Sequence, residues 1–175
     1  MSDIFDKVTG DQDPIKKILA KIPGFKGYIE RGDRRMSDKL IRDTIVDEFE
    51  ALNQRVSSLQ RDLISQGEIG YLDDLEAAAI KLRQFIDRVR TASYGYAGLF
   101  DAIKIKEDEL AQVYEYDNAL LALSDQVRSA IDNVETSIGT EGLDAAIRHL
   151  ITVSQQCVDA FNKRSEVMKG IAPEA

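Results

Sequence analysis

Tryptophan is absent from this chain, cysteine and histidine occur once each, and proline occurs three times. The single cysteine, Cys157, cannot form an intrachain disulfide, which excludes a small secreted fold stapled by such bridges. Cys157 and the lone His149 are too few ligands for a zinc site. A ferritin-like di-iron centre needs a Glu-x-x-His pair on each of two helices, and the residue three before His149 is Ala146. No metal and no cofactor are therefore expected. His149 reads as an exposed or capping residue, and Cys157 as a buried thiol with no neighbouring histidine to lower its pKa. The Gly95-Tyr96-Ala97-Gly98 stretch lacks the Lys-Ser/Thr that a phosphate loop requires, and no catalytic constellation is found. An enzyme is not expected.

The prolines stand at Pro14, Pro23 and Pro173, so nothing between the last two forbids long helices. No apolar run approaches the roughly 20 residues that cross a bilayer. The opening Met1-Ser2-Asp3-Ile4-Phe5-Asp6 is unlike a signal peptide. A soluble, cytoplasmic protein is the expectation.

The 175 residues suit one domain, and 43% hydrophobic content supplies a core. The net charge of −8 is unevenly placed: residues 15–42 carry nine Lys/Arg and three acids, whereas 43–175 carry 13 basic and 24 acidic groups. An acidic body repels phosphate, so nucleic acid is not expected as a partner.

Apolar periodicity carries most of the signal. Ile15, Ile18, Leu19 and Ile22 form one stripe of a short helix after Asp13-Pro14, with Lys16, Lys17 and Lys21 off it. Pro23-Gly24 ends that helix, and Ile22–Tyr28 reads as a Gly–aromatic loop. A first long helix, about 29–66, carries the seam Ile45, Phe49, Leu52, Val56, Leu59, Leu63. A second, about 72–91, carries Leu72, Leu75, Ala79, Leu82, Ile86, Val89. A third, about 106–138, runs Leu110, Val113, Asp117, Leu120, Ser124, Val127, Ile131, Val134, Ile138. Asp117 and Ser124 interrupt that row, as residues that fix helix register do. The fourth, about 141–169, carries Leu143, Ile147, Leu150, Ser154, Cys157/Val158, Phe161, Ser165 and Met168, with Thr140 as its N-cap. The acids Asp73-Asp74-Glu76 and Glu107-Asp108-Glu109 lie at helix starts, where the dipole favours them.

The pattern predicts an all-α protein: an elongated antiparallel four-helix bundle, up-down-up-down, with a short N-terminal amphipathic helix. Residues 1–28 form a tail with that helix and the Gly–aromatic loop, 29–170 the bundle, and 171–175 a C-terminal tail.

This topology gathers Ile22–Tyr28, Tyr94–Phe100 and the first turns of the first long helix at one end. Phe25, Tyr28, Arg31, Arg34, Arg35, Tyr94, Tyr96 and Phe100 are the candidate partner-binding residues there, since Tyr and Arg are over-represented in binding hot spots. The competing reading is that the aromatics plug the open end. The short helix likewise has two readings: a cap folded onto the bundle, or a docking element. In the second, Ile15, Lys16, Lys17, Ile18, Leu19, Lys21 and Ile22 face an anionic membrane surface. A non-enzymatic interaction or scaffold protein with a protein partner is the expected function, and peripheral membrane binding the alternative. Heptad-like helices also leave a homo-oligomer open.

Lys21-Ile22-Pro23-Gly24-Phe25-Lys26-Gly27-Tyr28, followed by Arg34-Arg35, Asp38-Lys39 and Arg42, resembles a pattern in a family of small prokaryotic helical proteins. Ala92-Ser93-Tyr94-Gly95-Tyr96-Ala97-Gly98, Phe100-Asp101 and Tyr114-Glu115-Tyr116-Asp117 resemble the same set. The resemblance implies a bacterial or archaeal cytosolic protein and carries no activity, ligand or catalytic residue with it.

Overall fold

The computed structural model describes residues 14–31, 34–92 and 107–171, with side chains over 16–28, 30–31, 36–92 and 112–167. All regular structure among them is helical. Six helices pack against one another: α1 Pro14–Lys21, α2 Phe25–Glu30, α3 Arg34–Ser65, α4 Leu72–Thr91, α5 Glu107–Ser137 and α6 Leu143–Ile171. A 3-10 turn, Ile69–Tyr71, leads into α4.

Most positions of the seams read from sequence are buried, with Leu72, Ile138 and Ser165 half-buried. On α3, Ile45, Phe49, Leu52, Val56, Leu59 and Leu63 lie inside, and on α4 Leu75, Ala79, Leu82, Ile86 and Val89 do. Leu120, Val127, Ile131 and Val134 of α5 share that core with Leu143, Ile147, Leu150, Cys157, Val158 and Phe161 of α6. Phe85 sits at its centre, 4.5 Å from Phe49 and edge-on to Phe161 at 6.3 Å between ring centroids.

The long helices end where the sequence supplies glycine. Gly67 has φ +80 and Gly139 φ +78, the left-handed conformation that closes a helix without Cβ strain. After α3 the Glu68 N–H reaches back to the Leu63 carbonyl at 2.9 Å, and the Gly67 N–H donates to Ile64 at 3.2 Å. Before α6 the Thr140 hydroxyl accepts the Gly142 N–H at 3.2 Å. Acids at Asp73 and Asp74 open α4, and Arg88 and Arg90 close it, both favourable to the dipole.

Partner numbers give the helix directions. Between α3 and α4, Gln60 bonds Glu76 and Glu50 bonds Arg90, so the two run antiparallel. Between α4 and α6, Lys81 meets Gln155 and Arg88 meets Asn162, so these run parallel. Arg55 of α3 bonds Asp132 and Glu135 of α5, and further toward the N-termini Asp38 and Asp117 share one arginine, so α3 and α5 are also parallel. The principal contacts between long helices are α3–α4, α4–α6, α5–α6 and α3–α5. The helices of each hairpin are thus antiparallel, while the two hairpins stack side by side with parallel neighbours. An apolar stripe specifies burial but not direction, which leaves this choice to the charged pairs and the connections.

The N-terminal region departs from its expected form. Phe25–Tyr28, expected as loop, belongs to a short helix, Phe25–Glu30, and the first long helix, expected from about 29, begins at Arg34. Ile22, Pro23 and Gly24 turn the chain between α1 and α2, with Gly24 at φ +85. The Gly27 and Arg31 N–H groups donate to Gly24 and Gly27 at 3.2 and 3.3 Å. The short helix α1 folds onto α5, burying Ile18 and Ile22, with Leu19 half-buried beside them.

Candidate functional site

The end built from α1, α2, the starts of α3 and α5 and the last turns of α6 holds the most unusual chemistry. Arg164, on the last turns of α6, is 1% exposed, and an arginine is almost never that buried unless paired. Its Nε donates to Asp117 of α5 at 2.5 Å, and its Nη2 lies 3.4 Å from Asp38 of α3. Arg42, one turn along α3, donates through Nε to the other Asp38 oxygen at 2.8 Å. Two carboxylates and two guanidiniums therefore form a buried clasp across three helices. Burial pushes the Asp117 carboxyl above the usual carboxylate range, against the pull of Arg164.

Above the clasp, Phe25 is fully buried and meets Tyr114 of α5 edge-on at 6.0 Å. Phe25 was expected to face a partner; it instead pins α2 to the bundle, because an apolar ring beside a buried tyrosine gains more from the core than from water. Tyr28, three residues on, is half-buried, and the exposed Arg31 guanidinium stacks over its ring at 4.9 Å. Lys26 pairs with Glu30 at 3.6 Å on the same short helix. The side chains of Arg34 and Arg35, and residues Tyr94, Tyr96 and Phe100, lie outside the described residues. Of the eight candidates, the described Tyr28 and Arg31 form one surface feature, with Phe25 beneath as its anchor.

Arg42 also reaches the surface. It lines a depression of about 370 Å³ with Asp43, Val46, Asp47, Glu50 and Arg90. A second depression, about 320 Å³, is lined by Gln112, Glu115, Tyr116 and Ala119. Both are open to solvent, unlike an enclosed small-molecule pocket.

Of the residues proposed to face a membrane, Ile18 and Ile22 are buried against α5, whereas Lys16, Lys17 and Lys21 are exposed. Lys21 reaches Asp125 of α5 at 3.4 Å. The side chain of Ile15 lies outside the described residues. Among the described residues no helix is long and apolar enough to cross a membrane, and no group of three His, Cys, Asp or Glu is placed to hold a metal.

Cys157 is fully buried, its thiol donating to the Val153 carbonyl at 3.3 Å, and burial pushes its pKa up to about 12. His149 is exposed. Ser124 and Ser154, the other polar breaks in the seams, each donate to a carbonyl of their own helix at 2.7 Å.

The clasp was half visible in sequence. Asp117 stands out as a charge in an apolar row, but its partner was missed because Ser165 was placed on the α6 stripe. The 4, 3 spacing of Cys157, Phe161 and Arg164 was the available signal.

No family model, curated protein or solved structure matches the chain.

Proposed function

We propose that the chain is a non-enzymatic interaction or scaffold protein of the cytoplasm, an up-down-up-down four-helix bundle that receives a protein partner at its Tyr/Arg end. The observation that carries this reading is the Tyr28–Arg31 pair, displayed on a helix that Phe25 anchors to the core. A tyrosine ring offers rigid amphipathic contact area, and a stacked guanidinium keeps its edge N–H groups available for a carboxylate. Such a pair is pre-organised, so less freedom is lost when a partner docks. The clasp beneath holds α3, α5 and α6 in one register, which fixes the platform on which α2 rests. The resemblance to small prokaryotic helical proteins agrees with a cytoplasmic bundle and adds no activity. A partner with an acidic contact patch suits Arg31 and the basic residues nearby.

Affinity capture from source cells tests this, comparing the wild-type chain with a Tyr28→Ala/Arg31→Ala variant and with an Arg61→Ala variant at the far end of α3. A partner held by wild type and Arg61→Ala but lost by the double variant is expected. Equal retention by all three, or no enriched protein, overturns the reading.

A further inference from the structure

We propose that α1 is a releasable strap whose apolar face serves two sites in turn, α5 of its own bundle and an anionic membrane surface. Three observations carry this. The strap is short, eight residues, and its described apolar contacts are those of Ile18, the half-buried Leu19 and, just past its last residue, Ile22. Two buried isoleucines do little more than offset the ordering of an eight-residue helix, so docking is weak. The ionic tie between Lys21 and Asp125 is solvent-exposed and adds little.

The strap is also bounded by a joint. Pro23-Gly24 separates it from α2, Gly24 lies at φ +85 with open space around it, and Phe25 immediately beyond is fixed against Tyr114. Undocking of α1 therefore leaves α2 and the Tyr28–Arg31 pair in place. The two proposed contacts are independent.

The charge is the third observation. The strap carries Lys16, Lys17 and Lys21 and no acid, and all three lysines are exposed while the isoleucines point at α5. Released, it is an amphipathic helix with lysines flanking a narrow apolar face. That composition lies in the headgroup region of anionic bilayers, by charge more than by buried area. Because the same isoleucines serve both sites, docking and membrane contact exclude one another. Membrane contact is accordingly weak, reversible and salt-sensitive.

The test is co-flotation of the full chain with vesicles of phosphatidylcholine alone or with phosphatidylserine, at low and high salt. Four proteins are compared: wild type, Asp125→Ala, Asp159→Ala and Ile18→Asp. Asp125→Ala loosens the strap, and Asp159→Ala makes the same change of charge on α6, away from it. Binding is expected only to phosphatidylserine vesicles at low salt, raised about two- to fivefold by Asp125→Ala, unchanged by Asp159→Ala and abolished by Ile18→Asp. Equal binding by Asp125→Ala and Asp159→Ala overturns the strap. So does binding that survives Ile18→Asp, or no binding by wild type and Asp125→Ala alike. Circular dichroism of Ile18→Asp confirms that the bundle remains folded, and if it does not, Lys16→Gln/Lys17→Gln replaces it with the same expected loss.

Discussion

Replacing Arg164 with methionine removes the centre of the buried clasp while keeping most of the side-chain volume. Asp117 then loses a bond of 2.5 Å and Asp38 its second guanidinium, although Arg42 still holds Asp38 at 2.8 Å. Both carboxylates are nearly inaccessible to water, at 1% and 5% exposure. Breaking a buried pair from one side costs about 3–5 kcal/mol, because the remaining charge is neither solvated nor paired. For a chain of this size that lowers Tm by roughly 6–20 °C. Urea melts followed by circular dichroism measure the change, with an unaltered m-value showing that the folded bundle is otherwise intact. The double variant Asp117→Leu/Arg164→Met removes the pair together, and its stability should return to within about 1 kcal/mol of wild type or exceed it. A loss below about 1 kcal/mol for Arg164→Met alone, or no recovery in the double variant, refutes the clasp as a coupled unit.

Three further outcomes follow from particular residues. Because burial holds the folded Asp117 pKa above the ordinary carboxylate value, the folded chain binds the more protons between those two values. Its stability relative to Asp117→Asn should rise as pH falls through the folded value toward about 4, and urea melts at stepped pH showing a fall instead would refute the assignment. Gly67→Ala forces a side chain into φ +80 and should cost about 1–2 kcal/mol, read as an earlier thermal transition. Cys157 should react with a maleimide only as fast as the bundle opens, since its thiol is buried and its pKa is about 12; labelling at the rate of a free thiol at pH 7 would contradict that placement.

How much of this was legible in the sequence depended on the kind of signal. Leucine, isoleucine and valine at alternating steps of three and four reported their own burial, and Gly67 and Gly139 their own turns. These are local properties of one chain segment. The identity of neighbouring helices is not local: the stripe on α4 is equally suited to α5 or α6, and Lys81–Gln155 and Arg88–Asn162 reveal α6. Arg164 was hidden for a related reason. A long cation near a helix end resembles a solvated residue, and only the combination with Asp117 on another helix makes its burial favourable. Pro23-Gly24 and Gly27 suggested a loop, yet Phe25 folded inward against Tyr114 and carried six residues into a helix with it. Part of the candidate surface, Arg34, Arg35, Tyr94, Tyr96 and Phe100, rests on the sequence argument alone.

The placement of the recognition surface is tested most directly by photo-cross-linking in source cells, with a benzophenone amino acid at position 28 in one protein and at position 69 in another. Position 69, Ile69, is 64% exposed in the α3–α4 turn at the opposite end, so it is more accessible than the half-buried position 28 and serves as a stringent control. A discrete cross-linked partner from position 28, absent from position 69 and lost on adding Arg31→Ala, is the predicted result. Cross-links that form equally from both positions, or only from position 69, would place recognition away from the Tyr28–Arg31 end and contradict the account.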